Sequence, residues 1–444
     1  MKHLRLIAFV VTSVCTVTCL AQSTHHDSTA LIEGRISWLA ANAAELHSAD
    51  PADTDYTDLK PTALAIGDAR VVMLGEQSHG DGTTFQMKTR VIKYLHEKLG
   101  FDVLVFESGL YDMKKAWESM KAGANPRDAA GLGILGIWQQ SEEVQPLIDY
   151  AAACARSRHP LELAGCDDQI MMNALYLFRA DLCAFLSANH IDTAMITGWG
   201  RTASVIDSLI YGKYYITHTA PDSAGLDTFL VVLDTLCKRL YNSAPASNEA
   251  QFWIQVLRST KTFALQIVDL ITGNSRTESK NRRDEQMAEN LLWELRGPYA
   301  NRKVIVWAAT MHIVKYPESI QTGLPELSYA GYRTLGSIVG KELKQSCYAI
   351  GFIASEGFAG AFYVPPYALT PPPASSLEGM LARTSYQHAF LNLRQVESSG
   401  TWLQGIFQSG PLGYSIMTAP WCRSLDGIIY SRVMKPSRRV SAHE

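Results

Sequence analysis

The chain has 444 residues, 47% hydrophobic and 19% charged, a globular balance that can bury a large core in one or two domains and excludes wholesale disorder. Forty Lys plus Arg against 43 Asp plus Glu leave a net charge of −3, with no basic stripe to neutralise a phosphate backbone, so nucleic acid is excluded as the expected partner.

In chain order, Lys2 and Arg5 precede the apolar run LIAFVVTSVCTVTCL, which closes on Cys19-Leu20-Ala21. A basic start, an apolar stretch and small cleavage-site residues predict a secretory signal peptide over 1–21 and a periplasmic or secreted protein. Lipid attachment at Cys19 is the less favoured alternative, because Thr16 stands where a leucine is usual. No later run reaches the ~20 apolar residues of a membrane span. The six remaining cysteines, Cys154, Cys166, Cys183, Cys237, Cys347 and Cys422, form no CxxC, which argues against a zinc knuckle or a redox motif and leaves their pairing open.

Residues 22–60 form an N-terminal segment with a helix. From there, ARVVMLGE, FDVLVFES, LELAGCD, KVIVWAA and CYAIGFIAS are short apolar runs of strand length, alternating with helical patterns such as Phe85, Val91, Ile92, Leu95 and Leu99. Strand, helix, strand predicts an α/β fold, three layers with a mostly parallel sheet. Between Asn173 and Asn274 the strand signal gives way to helical stripes. The expected division is therefore 61–172 as the first half of the core, 173–280 as a helical insertion forming one wall of a cleft, 281–435 as the second half and 436–444 as a tail. The stretch VPPYALTPPPASS predicts an extended surface loop, since proline cannot donate to a ladder.

Ligands of open parallel sheets bind beyond the carboxyl ends of the strands. Glu76 and His79 follow VVML, Glu107 ends VLVFE, Asp167 ends LELAGCD and His312 follows VIVWAA. Neighbouring strands would bring these into one site suited to proton transfer, with His79 activating water. Gly80, Asp81 and Gly82 lead into a helix whose free N–H groups would favour an oxyanion, and Lys88 lies one turn further on. Each residue alone is more often a cap or a surface group; the functional argument is their convergence. GxSxG, HExxH, the Walker lysine motif and GxGxxG are absent. Two histidines with several carboxylates would also suffice for a metal, although their spacing does not demand one.

The segment GEQSHGDGTTFQMKTRVIKYLHEKLGFDVLVFESG, followed in order by IWQQSEEVQPLIDYAAAC, LELAGCDDQ, RRDEQMAENLLWEL and KVIVWAATMHIVKY, resembles the erythromycin esterase family. The resemblance implies metal-free and cofactor-free hydrolysis of an ester or lactone, with His79 deprotonating water and Glu76 orienting it. It further implies that Glu107, His312 and Lys88 join the catalytic set. Arg283 and Asp284, an Arg-Asp pair opening a helix, would line the substrate site with Asp167 and Trp138. Two departures stand out. Lys88 replaces an arginine, losing a planar fork, and Ala309 replaces the first histidine of a W-x-H-N-x-H segment. Losing a group that stabilises the transition state costs ~10²–10³ in rate, which argues against a macrolide as the substrate. The expected partners are thus a small-molecule ester and water. The alternatives are a metal-dependent hydrolase using Glu76, His79, Glu107 and His312, and a non-catalytic protein binding haem or another small molecule.

Overall fold

The computed structural model describes residues 29–243, 247–273, 276–324, 327–394 and 398–441. The expected signal peptide lies outside them.

All five apolar runs form strands: β2 (Val71–Leu74), β3 (Phe101–Gly109), β4 (Glu162–Asp167), β5 (Lys303–Trp307) and β6 (Cys347–Ala359). The described residues hold six more, namely β1 (Ala44–Glu45), β7 (Tyr367–Ala368), β8 (His388–Asn392), β9 (Phe407–Ser409), β10 (Met417–Ala419) and β11 (Gly427–Met434). The main sheet runs β1-β8-β11-β6-β2-β5-β3-β4. Every pairing from β11 to β4 is parallel, while β8 joins β11, and β1 joins β8, antiparallel. The central strands read as continuous apolar runs because both faces are covered: all four residues of β2 are fully buried.

One face carries a core of Val71, Met73, Val306, Leu291, Met287 and Leu335; the other carries Val72, Leu74, Phe85, Val91, Leu104 and Trp307. Helices therefore lie on both sides, giving a three-layer α/β/α fold with a mostly parallel sheet. A third cluster, including Phe178, Leu182, Phe229, Leu233, Trp253 and Leu257, belongs largely to helices within 175–272 and holds that helical block together. The block is tied to the sheet through Asn290, whose amide donates to the Cys166 carbonyl on β4 (2.8 Å) and whose oxygen accepts from Gln255 (2.7 Å).

Two local expectations need correction. The helix carrying Arg283 and Asp284 runs from Arg276 to Arg296, so the pair lies two turns inside it and does not open it. The proline-rich stretch is not wholly free of ladder: β7 pairs with Phe358 and Ala359 of β6, using residues just beyond Pro365-Pro366. All six described cysteines are unpaired thiols. Among the described residues no helix is long and apolar enough to cross a membrane.

Candidate active site

The strand order places β2, β5, β3 and β4 side by side, so Glu76, the 308–312 segment, Glu107 and Asp167 leave the sheet at adjacent carboxyl ends. Past β2 the pairing is prolonged: the Gly75 N–H donates to the Ile350 carbonyl (2.9 Å) and the Glu76 carbonyl accepts from the Thr310 N–H (2.9 Å). The backbone presenting Glu76 is thereby fixed.

Glu76 is 1% exposed and receives three donors. His79 Nδ1 lies 2.9 Å from Oε1, Trp138 Nε1 donates to the same oxygen at 3.0 Å, and Lys88 Nζ donates to Oε2 at 2.8 Å. A carboxylate held this way makes His79 Nδ1 the protonated nitrogen and leaves Nε2 as the free base. The His79 side chain is 35% exposed and packs edge-on against Trp138, with ring centroids 5.6 Å apart. Burial pulls its pKa down, but the bond to Glu76 and the charges of Glu107 and Glu76 outweigh this and raise it above the ordinary imidazole value.

Lys88 and Trp138 are not cleft walls. Both are fully buried; Lys88 also donates to the Ala308 carbonyl (3.3 Å) and stands 4.1 Å from the Trp307 ring centroid. Burial lowers its pKa, against the attraction of Glu76. Each positions Glu76 from behind.

A second cluster surrounds Arg283. Its Nε and Nη2 grip both oxygens of Asp167 (3.1 and 2.6 Å), and Nη2 also donates to Glu107 Oε1 (3.0 Å). The other Glu107 oxygen accepts the Ala309 N–H at 2.9 Å. His312 bridges Asp284 through Nδ1 (2.8 Å) and Glu107 through Nε2 (3.1 Å). Burial alone would lower the His312 pKa, but Asp284 and Glu107 push it up to about 10. Burial likewise raises Glu107, yet His312 and Arg283 hold it well below the usual carboxylate range. His312 thus pairs with two carboxylates, and its Nε2 also stands 3.4 Å from Arg283 Nη1. Glu107 and Asp167 are buried, whereas the Arg283 and His312 side chains keep 18% and 13% exposure. The charge of Glu107 acts on His79, so the two clusters share one field. Among the described residues, no three His, Cys, Asp or Glu side chains are arranged to hold a metal ion.

The helix Gly82–Leu99 does not offer the expected oxyanion site. Its first amides are taken: Gly82 N–H donates to the Gly80 carbonyl (3.1 Å) and Thr83 N–H to the Lys435 carbonyl (3.3 Å), while a Cβ on Gly82 would meet the Pro436 carbonyl oxygen at 2.8 Å. The C-terminal tail seals that end.

Three residues of the site escape sequence reasoning. Asp81, fully buried, accepts the Ser78 N–H (2.9 Å) and the Tyr414 hydroxyl (2.6 Å) and makes no cap to its own helix, and burial pushes its pKa up to about 7 despite the Tyr414 bond. Tyr414 holds a left-handed backbone (φ 63°), rare for a residue with a Cβ. Asp168 is 1% exposed, and neither carboxyl oxygen has a hydrogen-bond partner; burial, and then the Asp167 charge, raise its pKa well above normal. Asp168 was visible as the second acid of LELAGCDDQ. Nothing in the sequence links Tyr414 to Asp81, 333 residues away.

A parallel α/β sheet with a histidine–carboxylate pair at its carboxyl edge defines the class: an α/β protein of the hydrolase type. The chain belongs to the erythromycin esterase family, whose family model, described as "Erythromycin esterase", matches residues 96–429. The match spans Glu107, Trp138, Asp167, Arg283, Asp284 and His312; Glu76, His79 and Lys88 precede it. Two relatives span nearly the whole chain. YbfO of Bacillus subtilis (strain 168), provisionally named a hydrolase, is 26% identical over 90% of this chain and 91% of its own. Erythromycin esterase type II of Escherichia coli is 22% identical over 85% of this chain and 92% of its own. A mutant of the erythromycin esterase EreC in its open conformation shares the fold, with a TM-score of 0.69 and 16% identity over 90% of this chain and 99% of that one.

Proposed function

We propose that the protein hydrolyses a carboxylic ester or lactone by water activated at His79, with no metal in the reaction. The observation that carries this reading is the single free nitrogen of a partly exposed histidine whose other nitrogen is fixed on a buried carboxylate. Neutral His79 takes a proton from water through Nε2 as the hydroxide oxygen bonds to the carbonyl carbon. The imidazolium, steadied by Glu76, then returns the proton to the departing alkoxide, so the proton count closes. Charge building on the carbonyl oxygen needs a cationic donor, and the Arg283 guanidinium, whose side chain keeps 18% exposure, would supply it. Glu107 and Asp167 hold the guanidinium in place rather than react.

The metal-free reading is supported by the company of the acids: Glu76 faces Lys88, while Glu107, Asp167 and Asp284 face Arg283 and His312, cations standing where a metal's charge would be needed. Ala309 and Lys88 weigh against a macrolide, so the natural substrate is expected to be another ester, reached at the cleft of an exported protein. The test is a panel of lactones, macrolides and aryl esters assayed with native protein and His79→Ala. A ~10²–10⁴-fold loss in kcat/KM is expected from removing the base. Hydrolysis unchanged in His79→Ala, or a stoichiometric metal whose removal abolishes activity, overturns the reading.

A further inference from the structure

The strand order sets β5, β3 and β4 on one side of β2 and β6 on the other, so the His79 loop has a second flank. Ile350 of β6 stands opposite Leu74 at the end of β2, and β6 then runs on to Ala359, past the carboxyl edge where His79 emerges. There the chain turns back into β7, with Phe358 against Ala368 and Ala359 against Tyr367. Residues 360–366 are the crown of this hairpin.

The crown is fixed against the His79 loop. A Cβ on Gly80, the residue after His79, would collide with the Ala361 nitrogen and the Gly360 carbonyl carbon, so the two backbones are in contact. Gly360 takes a positive φ of 133°, and a Cβ there would meet Pro366 Cα at 2.9 Å, where the base of the crown closes. The Val364 N–H donates to the Ala361 carbonyl (2.9 Å), a turn with Phe362 and Tyr363 at its two corners. Their rings meet edge to face, with centroids 5.3 Å apart. Tyr363 stays partly exposed. Burial, and then the charge of Glu76, raise the pKa of its hydroxyl, so the side chain stands within the field of the carboxylate that holds His79. The Tyr414 hydroxyl is spent on Asp81, whereas that of Tyr363 has no hydrogen-bond partner among the described residues.

In the reaction proposed above, the carbonyl oxygen faces Arg283 and His79 hands its proton to the departing alkoxide. The alcohol portion of the ester therefore lies at His79, on the flank away from Arg283. We propose that Tyr363 lines this flank as a substrate-binding residue whose ring packs against the alcohol portion, so that esters of bulky aromatic alcohols are preferred to those of small ones. The inference rests on the hydrolase reading. Benzyl acetate and methyl acetate are the probes, sharing an acyl group and differing in the alcohol. Native protein should favour benzyl acetate, and Tyr363→Ala is expected to lower the benzyl-to-methyl ratio of kcat/KM ~10-fold, the order of one aromatic contact. Tyr363→Phe keeps the ring and should keep the native ratio. Each ratio is taken on one sample, so any loss of folded protein cancels from it. A native preference for methyl acetate or an unchanged ratio in Tyr363→Ala overturns the inference. An equal fall in Tyr363→Phe overturns it too, because the contact would then belong to the hydroxyl. His79→Ala separates the two readings: hydrolysis that persists in it fells the hydrolase mechanism and this inference with it, whereas His79-dependent hydrolysis with an indifferent ratio fells only the role of Tyr363.

Discussion

At the scale of residues, Glu76 decides what His79 and Lys88 do. A buried carboxylate needs its donors, and it has three of them, from a histidine, a tryptophan and a lysine. Removing the lysine charge would leave Glu76 buried and short of a cation, so Lys88→Met is expected to cost ~3–5 kcal/mol, read as a fall in denaturation midpoint, together with a loss in kcat. A variant as stable and active as the native protein would contradict the positioning role. The same environment sets the pH dependence of the reaction. His79 works as a base only when neutral, and its pKa is raised by Glu76 and Glu107 against burial. Therefore kcat/KM should climb with pH through a midpoint above the ordinary imidazole value of ~6.5. Glu107→Gln, which removes one of the raising charges, should move that midpoint down; a pH–rate profile of the two proteins checks the direction.

At the scale of elements, the site depends on how tightly the β2 loop meets its neighbours. Gly80 sits against the backbone of Gly360 and Ala361, where an added Cβ would collide with main-chain atoms that cannot rotate away. Gly80→Ala is expected to displace the loop bearing His79, lowering stability by ~1–3 kcal/mol and kcat with it. Thermal denaturation and ester turnover measured side by side would test this, and a neutral substitution would show that the contact yields easily. The strands themselves were legible, because β2 to β6 are apolar runs of the length and residue types that a doubly covered parallel sheet demands. Less was legible beyond them. HAFLN and GIIYSRVM form β8 and β11, but their pairing is set by distant segments: Phe390 of β8 meets Ala44 of β1, and Gly427 of β11 meets Ile350 of β6. The helix start at Asp81 looked like an open anion site; a tail 350 residues downstream fills it.

At the scale of the whole molecule, the field of the buried charges predicts how stability varies with pH. His312 has a folded pKa of about 10, above its unfolded value. Its contribution is therefore fully present below ~6.5 and is lost as pH rises through about 10. Asp81 and Asp112 are both pushed up to about 7 by burial, and by the same rule their folded forms gain as pH falls from there toward ~4. Glu107 acts in the other direction. Its lowered pKa gives stability above ~4.5 that disappears as pH falls further. Together these place the stability maximum on the acid side of neutrality. Denaturation midpoints measured from pH 4 to pH 10 should peak near pH ~5–6 and decline toward pH 10, by ~2–4 °C or less per kcal/mol lost in a chain of this size. A maximum above pH 8 would contradict the assignments of His312, Asp81 and Asp112.

The sequence by itself determined the sheet-forming runs, the helical stretch between them and the placing of Glu76, His79, Glu107, Asp167 and His312 at strand ends, because apolar periodicity and turn chemistry are local properties of the chain. Tertiary structure decided which of those groups meet and which face the cleft. It buried Lys88 and Trp138 behind Glu76, clamped Arg283 between Asp167 and Glu107, and brought Tyr414 to Asp81. Burial and charge pairing depend on neighbours from distant segments, and those same neighbours set the protonation on which the proposed chemistry turns.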